Sequence, residues 1–487
     1  MLLLYNPKSN ATGKPVLPMS LLALGAVLEG RVPYRIVDGN RESLDAVVDE
    51  CSPSVVAMTV MPGPQLSDAV PRARALKERA PHVRIVWGGY FPTQHAPACL
   101  GAPYVDYVLR GHVDAVFLPF VEALLAGDES AVRATPGVAF RASDGRVLEN
   151  PLPPLPSPEE LPDYPYHRIP MDRYARPTFM GKRTLPHHSS YGCPFTCNFC
   201  AVVNMVEGRW RAQSAARTAS VAERLVREYG ADSVDFYDNN FFVDEARVEE
   251  FSERIEPLGI GWWGEARIDT LLRFSPRTWR AMRRSGLRMV YLGAESGSDQ
   301  ALARMNKGGT LTVEKTLQFA ARMKEEGIIP ELSFMVGSPP EPRKDAEQTL
   351  SFIRRVKAVN PDSEIVIYLY SPVPLEGELY RAATSEGFAF PRTLEEWTSS
   401  KWTEFSARRS LSVPWLERSL RRRVWDFERV LNAYYPTRTD RRLRGPLRFF
   451  LRSVSAWRYH TKFYRFPVEL HLLHRLVSYQ RPETSGF

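Results

Sequence analysis

The sequence predicts an α/β protein in three parts: a doubly wound (Rossmann-like or flavodoxin-like) domain, a partial (β/α)6 TIM barrel, and a mostly helical C-terminal region. Three observations carry this. Short β-branched runs alternate with helical stretches in two separate series, the pattern of parallel sheets wrapped by helices. A proline-dense, aperiodic stretch, "NPLPPLPSPEELPDYPYHRIP" (150–170), divides the two series. Beyond residue 390 the chain becomes basic and aromatic, with helical spacing. The boundaries expected are 1–135, a linker over 136–183, 184–390 and 391–487.

In the first series the expected strands are "LLLY" (2–5), "YRIVD" (34–38), "SVVAMTV" (54–60), "VRIVWGG" (83–89) and "VDYVLRG" (105–111). Between them, "PMSLLALGAVLEG" and "QLSDAVPRARALKERA" place apolar residues three and four apart, as amphipathic helices do. A doubly wound sheet binds ligands beyond the carboxyl ends of its strands. The loops expected at that edge are "NPKSNATGKP", "TVMPGPQ" and "GGYFPTQHAP". Each glycine alone is explained by a tight βα turn. As a set, with Thr59, Gly63, Gly88 and Gly89 as candidate contacts, they leave room for a flat or phosphate-bearing ligand.

In the second series the expected strands are "TLPHHSSY" (184–191), "SVDFYDN" (233–239), "IGWWGEAR" (260–267), "LRMVYLGAES" (287–296), "IPELSFMVGSP" (329–339) and "SEIVIYLYSP" (363–372). Six parallel strands, each followed by a helix, predict an open barrel whose chemistry lies at the strands' C-terminal ends.

Composition narrows the function classes. The chain has 487 residues, 44% of them apolar and 25% charged, which is globular composition. No run of about 18 apolar residues occurs to span a membrane. The opening "MLLLYNP" lacks the basic flank and cleavage site of a signal peptide, so a cytoplasmic location is expected. Cys51 and Cys99 stand far apart and are expected as small buried residues, with no disulfide framework.

The net charge of +8 is unevenly spread. Residues 401–487 hold 19 Lys and Arg against 7 Asp and Glu, which leaves residues 1–400 mildly acidic. Arginines and aromatics together can bind nucleic acid. Here, however, "WLERSLRRRVWDFERVL" (415–431) has the spacing of an amphipathic helix packing on its own protein. No nucleic acid is expected, and the second reading of the basic tail is a peripheral contact with membrane or lipid.

The chemistry concentrates in "SSYGCPFTCNFC" (189–200), where Cys193, Cys197 and Cys200 are spaced C-x3-C-x2-C. A Cys3His zinc site with His187 or His188 is one reading, although the paired C-x2-C knuckles common in zinc sites are missing. Three thiolates on a four-iron cluster are the other, and they leave one iron open to a small molecule.

The loop "GCPFTCNFC" resembles the signature of the radical S-adenosylmethionine (SAM) enzymes. So, in the same order, do "FYDNNFFVD" (236–244), "GEARIDTLL" (264–272), "YLGAESGSDQALARMNKG" (291–308), "FMVGSPPEP" (334–342) and "YSPVPLEGELY" (370–380). The resemblance implies a 4Fe-4S cluster on Cys193, Cys197 and Cys200, with SAM on the open iron as the source of a 5′-deoxyadenosyl radical. It further implies that Phe199 lies near the adenine, Glu295 and Ser333 meet the ribose or aminocarboxylate, and Gly337 and Glu341 belong to the segment beside the adenine. Asp238 and Asn239 would stand near the methionine end. The plainer readings are an Asx turn for Asp238 and Asn239 and a surface ion pair for Glu295. Tyr191 stands where the family often has Arg.

The first 130 residues are similar to the cobalamin-binding domain that precedes many such cores, in "NP", "VDGN" (37–40), "TVMPGPQ", "VWGGYFPT" (86–93) and "VDYVLRGH" (105–112). No D-x-H-x-x-G stretch offers a lower cobalt ligand. Where relatives often read "GEGE", this chain reads "GHVD" (111–114). The pairing implies a cobalamin-dependent radical SAM enzyme that methylates an unactivated carbon of a small, secondary-metabolite or lipid-like molecule. It also implies an external one-electron donor of flavodoxin or ferredoxin type. Oxidative cyclisation or rearrangement without methyl transfer is the alternative, and a non-catalytic corrinoid protein a remote one.

Overall fold

The computed structural model describes the chain except residues 10–15, 308–309, 407–412, 441–442, 444 and 477–487. Most of the first expected ligand loop, "NPKSNATGKP", therefore lies outside the described residues.

Strands β1 (Leu2–Asn6), β2 (Tyr34–Asp38), β3 (Val55–Thr59), β4 (Arg84–Gly88) and β5 (Tyr107–Leu109) pair in parallel in the order β2-β1-β3-β4-β5. Alternate residues serve opposite faces: Leu2 and Leu4 enter one core, Leu3 and Tyr5 the other. Burial on both faces is why these strands read as continuous apolar runs. Strand order reverses between β1 and β3, and a crevice opens at such a switch point.

The sheet does not stop near residue 135. Strands β6 (Val138–Arg141) and β7 (Val147–Glu149) extend it in antiparallel fashion into the expected linker. The signal is the Asp144-Gly145 turn, with Gly145 at φ 83°, flanked by runs too short to show alternation. Beyond β7 the chain is irregular but tied down. The Tyr174 hydroxyl donates to Asp38 (2.8 Å) at the end of β2. The Tyr166 hydroxyl meets His187 Nδ1 (3.0 Å) in the second sheet.

The stretch expected as one strand, "TLPHHSSY", divides. β8 (Thr184–His187) joins the second sheet, whereas β9 (Ser190–Gly192) leaves it to pair with β10 (Trp210–Ala212). The second sheet runs β8, β11 (Ser233–Phe236), β12 (Gly261–Ala266), β13 (Leu287–Glu295), β14 (Ile329–Val336) and β15 (Glu364–Leu369). All its neighbours are parallel, and β8 and β15 remain unjoined edges, so the barrel is open. Ser214, Asp244, Ser275, Ser298 and Thr312 cap the N-termini of its helices with side-chain oxygens.

The C-terminal region serves both sheets. Leu394 and Trp397 join the core of the first, with Trp397 edge-on to Phe91 at 5.1 Å. Helix Arg418–Tyr434 buries Leu420, Val424, Phe427, Val430 and Leu431, the amphipathic packing expected from its spacing. Among the described residues no helix is long and apolar enough to cross a membrane.

Candidate functional site

The cysteine loop starts at Gly192, whose φ of 79° and whose surroundings both demand glycine. A Cβ there would stand 2.3 Å from the Arg209 carbonyl. The loop is then held from three sides. Asn198 donates to the Arg304 carbonyl (2.6 Å), Asn306 to the Thr196 carbonyl (2.7 Å), and Gly377 packs against Asn198 closely enough that a Cβ would clash.

The three cysteines are free thiols. Burial raises the Cys193 thiol and pushes Cys200 up to about 12, with Cys197 close enough to add to both shifts. Hydrogen-bond donors reach the sulfurs: Arg267 Nη1 lies 3.3 Å from Cys197 Sγ, and Asn240 Nδ2 lies 3.9 Å from Cys193 Sγ. Arg267 is itself fixed by Asp269 (2.9 Å) and covers the Phe195 ring at 3.9 Å. Sequence reasoning missed Arg267 and Asn240. "GEARID" did hold an arginine at a strand end. Nothing local distinguished Asn240 from Asn239, which is exposed.

Asp238 is buried and does not form a local Asx turn. It accepts from the Ser189 backbone N–H (3.1 Å), the Ser189 hydroxyl (2.7 Å) and the Ser190 hydroxyl. Its carboxylate thus joins the second strand to the start of the cysteine loop.

Glu295, at the end of β13 with φ 62°, pairs with Lys307 Nζ at 2.7 Å, and both are buried. The pair is not the surface ion pair that was the plainer expectation. It needs Gly293, where a Cβ would stand 2.1 Å from the Glu295 carboxylate and 2.2 Å from Lys307 Nζ. Lys307 also lies 5.9 Å from the centre of the Phe199 ring. Ser333 sits opposite Gly293 in register, buried beside the Leu292 carbonyl. Phe199, Glu295 and Ser333 thus share the barrel mouth with the cysteine loop. Gly337 lies at the end of β14, φ 79°, beneath the C-terminal region: Trp415 Nε1 donates to its carbonyl at 2.9 Å. Glu341 is not drawn into this group, because it forms a half-exposed pair with Lys344 on its own helix.

Glu265, on β12, adds a carboxylate. Burial, reinforced by the charge on Asp238, raises it to about 8. Tyr237 and Tyr291 lie within its electrostatic reach.

Thr59, Gly63, Gly88 and Gly89 stand at the ends of β3 and β4. Gly63 and Gly89 have φ of 87° and 94°, and a Cβ on Gly89 would lie 3.0 Å from Thr59 Oγ1. This edge meets the helix Val202–Val206 that follows Cys200. Gln94 accepts from Asn204 (2.7 Å) and donates to the Ala201 carbonyl (3.3 Å). His112 stacks on Tyr191 with ring centres 4.7 Å apart, and the Tyr191 hydroxyl donates to Asp114 (3.3 Å).

The donor set can be tested against the two metal readings. Among the described residues no three His, Cys, Asp or Glu groups gather tightly enough for a single ion. Both ring nitrogens of His187 are occupied, by Tyr166 and Gln213, whereas His188 Nε2 has no hydrogen-bond partner among the described residues but belongs to no such group. A cluster gives each thiolate its own iron and asks for no such convergence. N–H donors aimed at the sulfurs suit a cluster, whose properties depend on such bonds. Asn198 and Asn240 also present buried side-chain oxygens with no protein partner. The residues therefore fit a cluster with a polar ligand beside it.

The chain thus sets an open parallel barrel with a thiol loop at its mouth against the switch-point edge of a doubly wound domain. Family comparison agrees in both halves: the radical SAM superfamily model matches residues 188–353 and the B12 binding domain model residues 11–119. The chain therefore carries the two domains of the cobalamin-dependent radical SAM enzymes, a B12 binding domain followed by a radical SAM domain. It is 28% identical over 350 residues to an uncharacterized methyltransferase, PH0819, of Pyrococcus horikoshii, covering 70% of this chain and 73% of that one. It is also 28% identical to the anaerobic magnesium-protoporphyrin IX monomethyl ester cyclase of Rubrivivax gelatinosus, covering 65% of this chain and 57% of the cyclase. The fold matches the radical SAM methyltransferase TsrM of Kitasatospora setae with a TM-score of 0.63 at 16% identity, covering 83% and 82% of the two chains.

Proposed function

We propose that this enzyme methylates an unactivated carbon of a small molecule, using SAM both as radical source and as methyl donor to the corrinoid. The observation that carries the reading is the junction of the two halves. The loops after β4 and β5 touch Tyr191, Ala201 and Asn204, which flank the cysteine loop on both sides. A corrin at the first sheet's edge would then face a substrate at the barrel mouth.

In this reading Cys193, Cys197 and Cys200 hold the 4Fe-4S cluster, and Thr59, Gly63, Gly88 and Gly89 border the corrin. When bound, cluster and SAM supply a radical that removes hydrogen, and the corrinoid supplies the methyl group. The protein's own work is placement. Arg267 and Asn240 donate hydrogen bonds toward the cluster sulfurs, Asp238 fixes the loop's entry, and Phe199, Ser333 and the Glu295–Lys307 pair shape the SAM side. Gly337 closes that side under the C-terminal region. Lys307, buried beside Glu295, leaves that carboxylate an acceptor for hydroxyl donors without a net charge in the pocket. In this reading electrons come from a flavodoxin or ferredoxin type donor.

The cyclase relatives favour a second reading, oxidative cyclisation without methyl transfer. Deuteromethyl SAM separates the two when the reduced, reconstituted enzyme turns over its substrate. Label in the product supports methylation, and an unlabelled product supports cyclisation.

A further inference from the structure

The C-terminal helices turn apolar side chains in two directions. The inner face of helix Gly445–Thr461 buries Leu451, Ser455 and Tyr459, and Arg354 of the barrel ties this layer down through the Tyr459 carbonyl and the Tyr464 hydroxyl. The outer face is also apolar. On helix Val468–Leu476, Val468, Leu472 and Leu476 recur every fourth residue and are 60%, 55% and 82% exposed. On helix Gly445–Thr461, Phe449, Phe450 and Trp457 lie outward, about two turns apart. Trp457 stacks on the exposed Phe463 with ring centres 5.9 Å apart.

The loop 462–467 joins the two helices, and Arg458 holds that loop. It donates to the Glu469 carboxylate and to the carbonyls of Phe463, Arg465 and Phe466. The aromatic groups are therefore presented by a braced structure. Single exposed apolar residues are ordinary, but eight of them, Phe449, Phe450, Trp457, Phe463, Phe466, Val468, Leu472 and Leu476, within one helix–loop–helix segment mark an interaction surface.

Charge indicates what that surface meets. Residues 445–476 hold six Lys and Arg and one acid, Glu469, which Arg458 already pairs. Arg452, Lys462, Arg465 and Arg475 are exposed on the same two helices and their connecting loop. Aliphatic side chains gain nothing from stacking on bases, so Val468, Leu472 and Leu476 speak against nucleic acid. A second copy would bring two cationic faces together. Exposed aliphatic and aromatic residues among lysines and arginines instead match the boundary of an anionic bilayer, where apolar groups enter the acyl region and cations stay with the headgroups. We propose that the Gly445–Leu476 face docks this enzyme on an anionic lipid surface.

The test is flotation of the full-length, cluster-loaded protein with vesicles of phosphatidylcholine alone and of phosphatidylcholine with phosphatidylglycerol, at low and raised salt. Co-flotation is expected with the phosphatidylglycerol vesicles and should weaken as salt rises. Leu472→Ser with Leu476→Ser should lower partitioning about tenfold or more. Lys462→Gln with Arg465→Gln should lower it about tenfold. Unchanged circular dichroism and iron content would show that both variants fold. Absence of co-flotation, equal binding by wild type and variants, displacement by an oligonucleotide, or a dimer in vesicle-free solution that the leucine variant abolishes would each overturn the proposal.

Discussion

Lys307 lies within the family-like segment 291–308 and is the buried partner of Glu295. With both groups buried at 2.7 Å, Lys307→Met leaves an unpaired carboxylate inside the barrel mouth, a loss of about 3–5 kcal/mol. A large fall in Tm is expected from the single variant and substantial recovery when Glu295→Gln is added. Glu265 provides a pH test. Its folded pKa, about 8, lies above that of an ordinary carboxyl, so its contribution is complete below about pH 4.5 and is lost as pH rises through 8. Glu265→Gln should flatten the decline of Tm between those limits relative to wild type; an unchanged slope would remove Glu265 as its source. Spacing made the three cysteines legible, because three of a chain's five thiols at C-x3-C-x2-C stand out in the sequence itself. Arg267 and Asn240 were not legible, because their contacts depend on how strand ends converge. Glu295 and Ser333 were found at the mouth through family likeness, and the same likeness pointed to Glu341, which faces its own helix.

Gly192 and Gly89 test the elements that carry the two proposed cofactor sites. Both lie at positive φ, where an added Cβ costs roughly 1–3 kcal/mol even without a clash. At Gly192 the clash with the Arg209 carbonyl is severe. Gly192→Ala is expected to lose most bound iron while keeping cobalamin. Gly89→Ala should do the reverse, lowering cobalamin content with iron unchanged. Iron and cobalt analysis of the two proteins checks both, and coupled loss of the two metals in either one would contradict separate sites. Both parallel series were readable at this scale because fully buried strands are apolar without interruption. The β6–β7 hairpin was not, since runs of three and four residues carry too little periodicity. Nor was the division of "TLPHHSSY", where β9 leaves the sheet for a partner some 20 residues away.

For the molecule as a whole, the junction between the halves should set how well radical formation is coupled to product. Gln94→Ala with Asn204→Ala removes the bridge across it. The double variant is expected to keep both cofactors and still form 5′-deoxyadenosine, with less product per SAM cleaved. Equal coupling in wild type and variant would mean that the junction plays no part. Domain order was legible from composition and motif. The way the C-terminal region reaches back to Phe91 through Trp397 was not, because that contact joins residues some 300 positions apart. The proposed chemistry requires a cluster iron left free by the protein. The most direct measurement is iron and sulfide analysis of the anaerobically reconstituted protein, with spectra of the reduced cluster before and after SAM is added. The account predicts a 4Fe-4S cluster whose spectrum changes with SAM and which is lost when Cys193, Cys197 or Cys200 is replaced by Ala. Zinc bound in its place, or a cluster spectrum indifferent to SAM, would contradict it.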